Sequence, residues 1–280
     1  MKTFKRIDTF GLLLRGTDDI RQLITYKKSE MKPILQILLA FFLLFSSTIS
    51  FGQTVINELK ITQITNNFYV YTTYKMFGTK KQDANAMYVV TPEGIILFDS
   101  PWDTFPFQLL LDTIEAKHHK KIVLAIATHS HDDRTSGLDF YKKRGIKTYT
   151  TKQTDEISIE NDRPRAEFLI KKDSVFNVGG FKFETYYAGE GHTKDNIVIW
   201  FEKQKILYGG CLVKSIDAKD LEYVGEANIT EWPTTIKRVQ NKFKNPKYII
   251  TGHHNWKSIH SLKHTLNLLR ENERKNNDKK

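Results

Sequence analysis

Cysteine is almost absent. Cys211 is the only one in 280 residues, so no disulfide can form within a chain and a disulfide-stapled scaffold is excluded. Proline is scarce, at 7 residues. There is no Pro- or Ser-rich linker and no repeat with a period of roughly 20–50 residues, which excludes a solenoid or a string of modules. Serine-nucleophile motifs are missing as well: neither Gly-x-Ser-x-Gly nor Ser-x-x-Lys stands in a catalytic setting. Long apolar runs are limited to one, residues 33–51, preceded by Lys32. Ser50 and Gly52 lie before a plausible cut ahead of Gln53, so residues 31–52 read as a secretory signal peptide rather than a membrane span. Met31 is then the expected start, and residues 1–30 are an upstream extension or a long n-region. An uncleaved anchor is the alternative. No cysteine near the cut can accept a lipid, so no stable membrane anchor is expected after cleavage. In an oxidising compartment a lone thiol calls for an explanation, and metal ligation is one.

The net charge of +11 is spread along the chain, and hydrophobic content of 40% is ordinary for a globular protein. A basic surface could suit nucleic acid. However, no DNA- or RNA-reading motif and no basic–aromatic interleaving accompany it, so the expectation is a soluble basic protein without a nucleic-acid partner. Residues 53–280 suffice for a single domain with a real core.

The most informative stretch is Thr128-His129-Ser130-His131-Asp132-Asp133-Arg134. It follows Lys121–Ala127, which reads as a buried strand, and precedes Thr135–Arg144, which reads as a helix with Gly145 just past its end. Ligand-type residues thus fall on a strand-to-helix turn at the carboxyl end of a strand, a common place for chemistry in layered αβ proteins. Residues i and i+2 of an extended segment point the same way. His129 and His131 can therefore grip one ion, while Asp133, past the bend, can face a second.

Upstream, Leu59–Ile64 and Asn67–Tyr74 read as strands, Lys75–Asn85 as a polar loop with exposed Met76 and Phe77, and Ala86–Val90 with Ile95–Asp99 as a hairpin. Phe107–Lys117 reads as a helix with Leu109, Leu110 and Ile114 inward, ending at a solvated His118-His119 pair. Downstream, Ile146–Thr150 is a short strand and Lys152–Ile170 a helix and loop. Asp173–Val178 and Phe181–Tyr187 form a hairpin about Gly179-Gly180. His192 sits in a glycine-flanked loop before strand Ile197–Glu202, and Cys211 follows strand and Gly209-Gly210. Glu231–Phe243 is a helix with Pro233 in its first turn. Lys247–His253 repeats strand, turn and histidine. Residues 256–272 form the last helix, with His260 and His264 as surface or packing, and the charged tail from Glu271 is expected to fray. The order suggests two similar halves, an α+β four-layer αββα sandwich.

The candidate ligands are His129, His131, Asp133, His192, Cys211 and His253. Three neutral imidazoles suit tetrahedral zinc with one open position, and aspartate, thiolate and histidine suit a second ion. The soft thiolate disfavours magnesium and calcium. Two such ions, roughly 3.5–4 Å apart, can share a hydroxide, so no serine nucleophile is needed.

His-x-His-x-Asp at His129, His131 and Asp133, then Gly191-His192, Gly209-Gly210-Cys211 and Gly252-His253, resembles the metallo-beta-lactamase superfamily. In form it is similar to class B β-lactamases of subclass B1, over about residues 55–275. Superfamily hydrolases of thioesters, lactones and RNA usually carry a second histidine after the motif aspartate and an aspartate at the cysteine position. Arg134 and Cys211 stand there instead. The resemblance implies the metallo-beta-lactamase fold and two zinc ions, the first on His129, His131 and His192, the second on Asp133, Cys211 and His253. It implies a bridging hydroxide, acting with Asp133, that attacks the lactam carbonyl of penicillins, cephalosporins and carbapenems. It further implies Lys214 on the substrate carboxylate, a mobile flap at Met76, Phe77 and Gly78, and a monomeric enzyme of the periplasm conferring antibiotic resistance. Two departures stand out. Tyr223 falls where the family often has a carbonyl-polarising asparagine, with Asn228 nearby but offset. Thr251 and His254 flank Gly252-His253 where many relatives have proline and glycine.

Overall fold

The computed structural model describes residues 58–170 and 173–278. The proposed signal segment lies outside them. A seven-stranded sheet runs in chain order from β1 (Lys60–Thr65) through β2 (Phe68–Phe77), β3 (Lys80–Thr91), β4 (Gly94–Phe98), β5 (Ile122–Ile126) and β6 (Lys147–Thr151) to β7 (Phe168–Ile170). A five-stranded sheet has the order β12-β11-β10-β9-β8, built from β8 (Val175–Val178), β9 (Phe181–Tyr186), β10 (Val198–Phe201), β11 (Ile206–Gly210) and β12 (Tyr248–Thr251). The helices are α1 (Phe107–His118), α2 (Asp132–Thr135), α3 (Leu138–Lys142), α4 (Lys152–Glu160), α5 (Trp232–Lys242) and α6 (Ser261–Asn277).

Strand alternation creates the layers. In β4 and its mirror strand β10 every residue is buried, because both faces are covered. Ile96 and Phe98 point into the core between the sheets, where Ile199 and Phe201 meet them. Ile95 and Leu97 face the other way, onto Leu110, Leu111 and Ile114 of α1 and Tyr141 of α3. Val198 and Trp200 turn out onto Ile236 and Val239 of α5 and Leu262, Leu268 and Leu269 of α6. Helix, sheet, sheet, helix is the expected αββα sandwich, though the halves differ in strand number. The described residues belong to one compact unit, Thr54–Lys280. Among them, no helix is long and apolar enough to cross a membrane.

Several local expectations need correction. Lys75–Asn85 is not a loop: β2 and β3 stay paired from Phe68↔Val89 out to Phe77↔Lys80, and the turn is only Gly78-Thr79. The segment is polar because a two-stranded ribbon beyond the sheet edge is wet on both faces, and Lys81 stabilises it by lying 4.0 Å from the Tyr74 ring centroid. Met76 is half-buried and only Phe77 is exposed. In α1 it is Leu111, not Leu109, that joins Leu110 and Ile114 in the core. His118 is not simply solvated. It packs on Tyr69 and Tyr88, and its Nε2 lies 2.9 Å from the Tyr88 hydroxyl. The helix after the motif begins inside it, at Asp132, and is broken at Gly137, where a Cβ would meet the Tyr141 ring at 2.7 Å. The last helix starts later and continues through the charged tail to Asn277, since Glu, Arg and Lys are strong helix formers.

Candidate metal centre

β4 and β5 are parallel neighbours in one sheet, and β11 and β12 in the other. Their carboxyl ends open at the same edge of the sandwich. Main-chain bonds tie the sheets together there: Asn85 N–H to the Gly252 carbonyl at 2.8 Å and Ile197 N–H to the Thr128 carbonyl at 3.0 Å. His129 and His131 follow β5, Asp133 lies in α2, Cys211 follows β11 and His253 follows β12. His192 comes from the loop between β9 and β10.

All six candidate ligands meet. The rings of His129, His131 and His192 stand nearly perpendicular to one another, with centroids 4.9, 4.9 and 5.1 Å apart. His131 Nδ1 is 3.1 Å from His192 Nε2. Beside them, Cys211 Sγ lies 3.3 Å from His253 Nε2 and 3.7 Å from Asp133 Oδ2, which is 3.5 Å from His253 Nε2. Ligand-type atoms lie within 4.8 Å of one another in three overlapping sets: His129, His131 and Asp133; His129, His192 and Cys211; and Asp133, Cys211 and His253. The six therefore form one continuous cluster. Two atoms held by one tetrahedral ion at the usual zinc bond lengths are about 3.3–3.6 Å apart, close to the observed spacings.

Three of the four rings, those of His129, His131 and His253, are aimed by their other nitrogen, whereas His192 Nδ1 is buried without a partner among the described residues. Thr128 Oγ1 donates to Asp99 Oδ2 at 2.9 Å and stands 3.2 Å from His129 Nδ1 as an acceptor, which leaves His129 Nε2 bare. That Nε2 is buried without a protein partner, a costly state unless a cation meets it. His131 Nε2 lies 3.1 Å from Glu226 Oε2, and His253 Nδ1 lies 2.5 Å from the Asp83 carbonyl. Both contacts free the opposite nitrogen as a ligand.

Arg134, wholly buried, forms the floor. Its Nη2 donates to Asp133 Oδ2 at 2.6 Å, Cys211 Sγ at 2.9 Å and the Gly252 carbonyl at 3.1 Å. Its Nη1 reaches the Asn85 carbonyl at 2.7 Å and Asp99 Oδ2 at 3.4 Å. Asp99 also accepts from Thr128 N–H at 2.6 Å and the Tyr208 hydroxyl at 2.6 Å. Its carboxyl is pushed up to about 6 by burial, against the opposing pull of Arg134.

Burial holds His129 and His192 well below the usual imidazole range, so both are neutral and able to ligate. Burial also favours the acid form of Asp133, but Arg134 and then His253 outweigh it and keep the carboxylate ionised. For Cys211, burial wins over Arg134 and raises the thiol above its ordinary value. A bound divalent cation reverses that preference, because a coordinating thiol is deprotonated outright.

The cluster lies at the base of a cleft of about 610 Å³ lined by Phe77, Trp102, Lys214, Glu222, Tyr223 and Glu226, among others. Phe77 packs edge-on against Trp102 at 5.5 Å. A separate hollow of about 750 Å³, lined by residues such as Thr151 and Glu156, contains no group of three ligand-type side chains among the described residues. Lys214 reaches the main cleft but is paired with Glu222. Tyr223 packs edge-on against His131 at 5.6 Å. Asn228 is turned away, donating to Glu190 Oε2 at 2.6 Å and accepting from Glu231 N–H at 3.0 Å. His264 Nε2 meets the Ala218 carbonyl at 2.9 Å and joins no metal-type cluster. Sequence reasoning missed Asp99, Glu226 and Glu222. No local motif marks them, and Glu226 reaches His131 across a sequence separation of 95 residues.

A family model described as the Metallo-beta-lactamase superfamily matches residues 80–253. The metallo-beta-lactamase type 2 of Elizabethkingia meningoseptica is 45% identical over 226 residues, covering 81% of this chain and 90% of that protein. The metallo-beta-lactamase IND-1 of Chryseobacterium indologenes is 45% identical over 206 residues, covering 74% and 86%. Among solved structures, metallo-beta-lactamase IND-7 superposes with a TM-score of 0.74 at 43% identity, over 77% of this chain and 99% of that one. Likeness of this extent, in sequence and in fold, places the chain in the metallo-beta-lactamase superfamily, within its class B, subclass B1 branch.

Proposed function

We propose that this protein hydrolyses the β-lactam amide of penicillins, cephalosporins and carbapenems, using two zinc ions per chain, as a monomer exported to the periplasm. In this reading His129, His131 and His192 hold one ion and Asp133, Cys211 and His253 the other. The observation that carries it is the buried, unpartnered Nε2 of His129 aimed among five further donors. The curated relatives in the comparison bear the metallo-beta-lactamase name.

When bound, zinc supplies Lewis acidity, polarising a carbonyl and lowering the pKa of water to about 7. The chain's own groups do the rest. The neutral imidazoles and the Asp133 carboxylate need lose no proton to ligate. Arg134 compensates the negative charge of Asp133 and the Cys211 thiolate within hydrogen-bond distance. In this reading Asp133, which lines the cleft, orients the attacking water. Phe77 and Trp102 offer an apolar wall to the lactam side chains and exclude water. Lys214 is the cation for the substrate carboxylate.

The test is ring opening of a penicillin, a cephalosporin and a carbapenem by the purified protein, with and without a chelator. Turnover abolished by the chelator and restored by zinc is expected. Protein that metal analysis finds loaded with two zincs, yet opens none of the three, would sink the reading.

A further inference from the structure

Resting on that function, the next question is what stands in the way of the substrate's carboxylate. Lys214 is almost fully buried at the cleft wall, and its Nζ donates to Glu222 Oε2 at 3.0 Å. The other Glu222 oxygen, Oε1, lies 2.7 Å from His254 Nε2. His254 is itself anchored, its N–H donating to Asp83 Oδ2 at 2.7 Å. Of the other cations lining the cleft, Lys75 pairs with Asp103 at 2.6 Å and Arg163 with Glu226 at 3.1 Å, whereas Lys80, at the exposed rim, makes no ion pair among the described residues, so Lys214 is the buried cation nearest the base of the cleft that a carboxylate must win.

Backbone geometry says that Glu222 is held there at a cost. Its φ is +57°, and that of His254, its partner, is +59°. Both are left-handed conformations that disfavour residues with a Cβ, and such outliers persist where the surroundings over-determine them. Burial acts to protonate Glu222, but the hydrogen bond from His254 and the charge of Lys214 outweigh it and keep the carboxylate ionised. A carboxylate fixed on the one buried lysine of the cleft occupies the place an acidic ligand would take.

We infer that Glu222 is a specificity-determining residue, an internal carboxylate that competes with the carboxylate of the substrate for Lys214. An acidic lactam must displace Glu222 or share Lys214 with it, whereas a neutral lactam escapes that competition. The enzyme is thereby biased away from dependence on the substrate's acid group.

The experiment compares a cephalosporin acid with its neutral methyl ester, on the zinc-loaded full protein and on E222Q. Gln keeps a hydrogen-bonding amide between Lys214 and His254 but removes the competing charge. KM for the acid is expected to fall about tenfold, the scale of one charge-assisted hydrogen bond, while KM for the ester stays within twofold. E222G, which also relieves the left-handed backbone, should move the acid's KM in the same direction and guards against a folding defect in the first variant. An acid KM that stays put, or rises because Glu222 in fact orients Lys214, overturns the inference, as does a parallel shift for acid and ester. Wild-type protein that opens neither form overturns the proposed function and this inference with it.

Discussion

Gly252 sits where Arg134, Cys211 and β12 converge. A Cβ there would lie 2.6 Å from Cys211 Sγ, 2.7 Å from its backbone nitrogen and 2.9 Å from Arg134 Nη2. Backbone and a fully buried guanidinium cannot retreat, so Gly252→Ala should push Cys211 away from His253. Zinc titration of this variant should lose the tighter stoichiometry of two, and wild-type affinity at both sites would refute the steric account. Cys211→Ser tests the same corner chemically. It trades a soft thiolate for a hydroxyl that zinc binds poorly, so zinc content should fall toward one per chain and kcat/KM by at least about 100-fold. Unchanged metal content and rate would remove Cys211 from the ligand set. Glu226→Gln is milder. His131 keeps a hydrogen-bonding neighbour but loses the carboxylate that fixes its tautomer, which typically costs about 10–100-fold in metal affinity. Equilibrium dialysis reads that loss directly.

At the scale of elements, α5 begins at an unusual start. Its N-cap, Glu231, makes no side-chain cap bond, and the role falls to Asn228, whose Oδ1 accepts from Glu231 N–H and whose carbonyl accepts from Trp232 N–H at 3.0 Å. Asn228→Ala should therefore cost about 1 kcal/mol, a drop of roughly 2–4 °C in Tm, with KM for a cephalosporin unaltered. A large rise in KM without loss of Tm would return Asn228 to the substrate. The same helix marks where sequence reading stops. Strands, the two Gly-His turns and Gly-Gly-Cys were legible because ligand chemistry is local: each donor follows its own strand within a few residues. The hairpin of β2 and β3 was misread because its polar ribbon lacks the buried face that period-two alternation reports. Glu226 and Glu222 were invisible for a different reason. Acidic residues in an irregular loop carry no pattern, and only the packing of that loop over His131 and Lys214 gives them a role.

At the largest scale, the two sheets of the described residues meet at the cluster of candidate ligands. His129, His131 and Asp133 belong to the seven-stranded half, and His192, Cys211 and His253 to the five-stranded half. A cation held by donors from both halves is a cross-link between the sheets, added to the apolar core and the main-chain bonds from Asn85 and Ile197. Because the unfolded chain scatters these ligands over more than a hundred residues, metal binds the folded state preferentially and its binding energy becomes folding energy. At free zinc about 1,000 times the Kd, each site stabilises by about 4 kcal/mol, or on the order of 10 °C in Tm for a domain of this size. Removing zinc should thus lower Tm as a single cooperative transition, with both sheets melting together. Cys211→Ser should respond to added zinc by a smaller shift than wild type, since one bridge between the halves is weakened. A Tm indifferent to chelation would mean that the apolar core alone fixes the two sheets, and that the six donors serve the chemistry without supporting the fold.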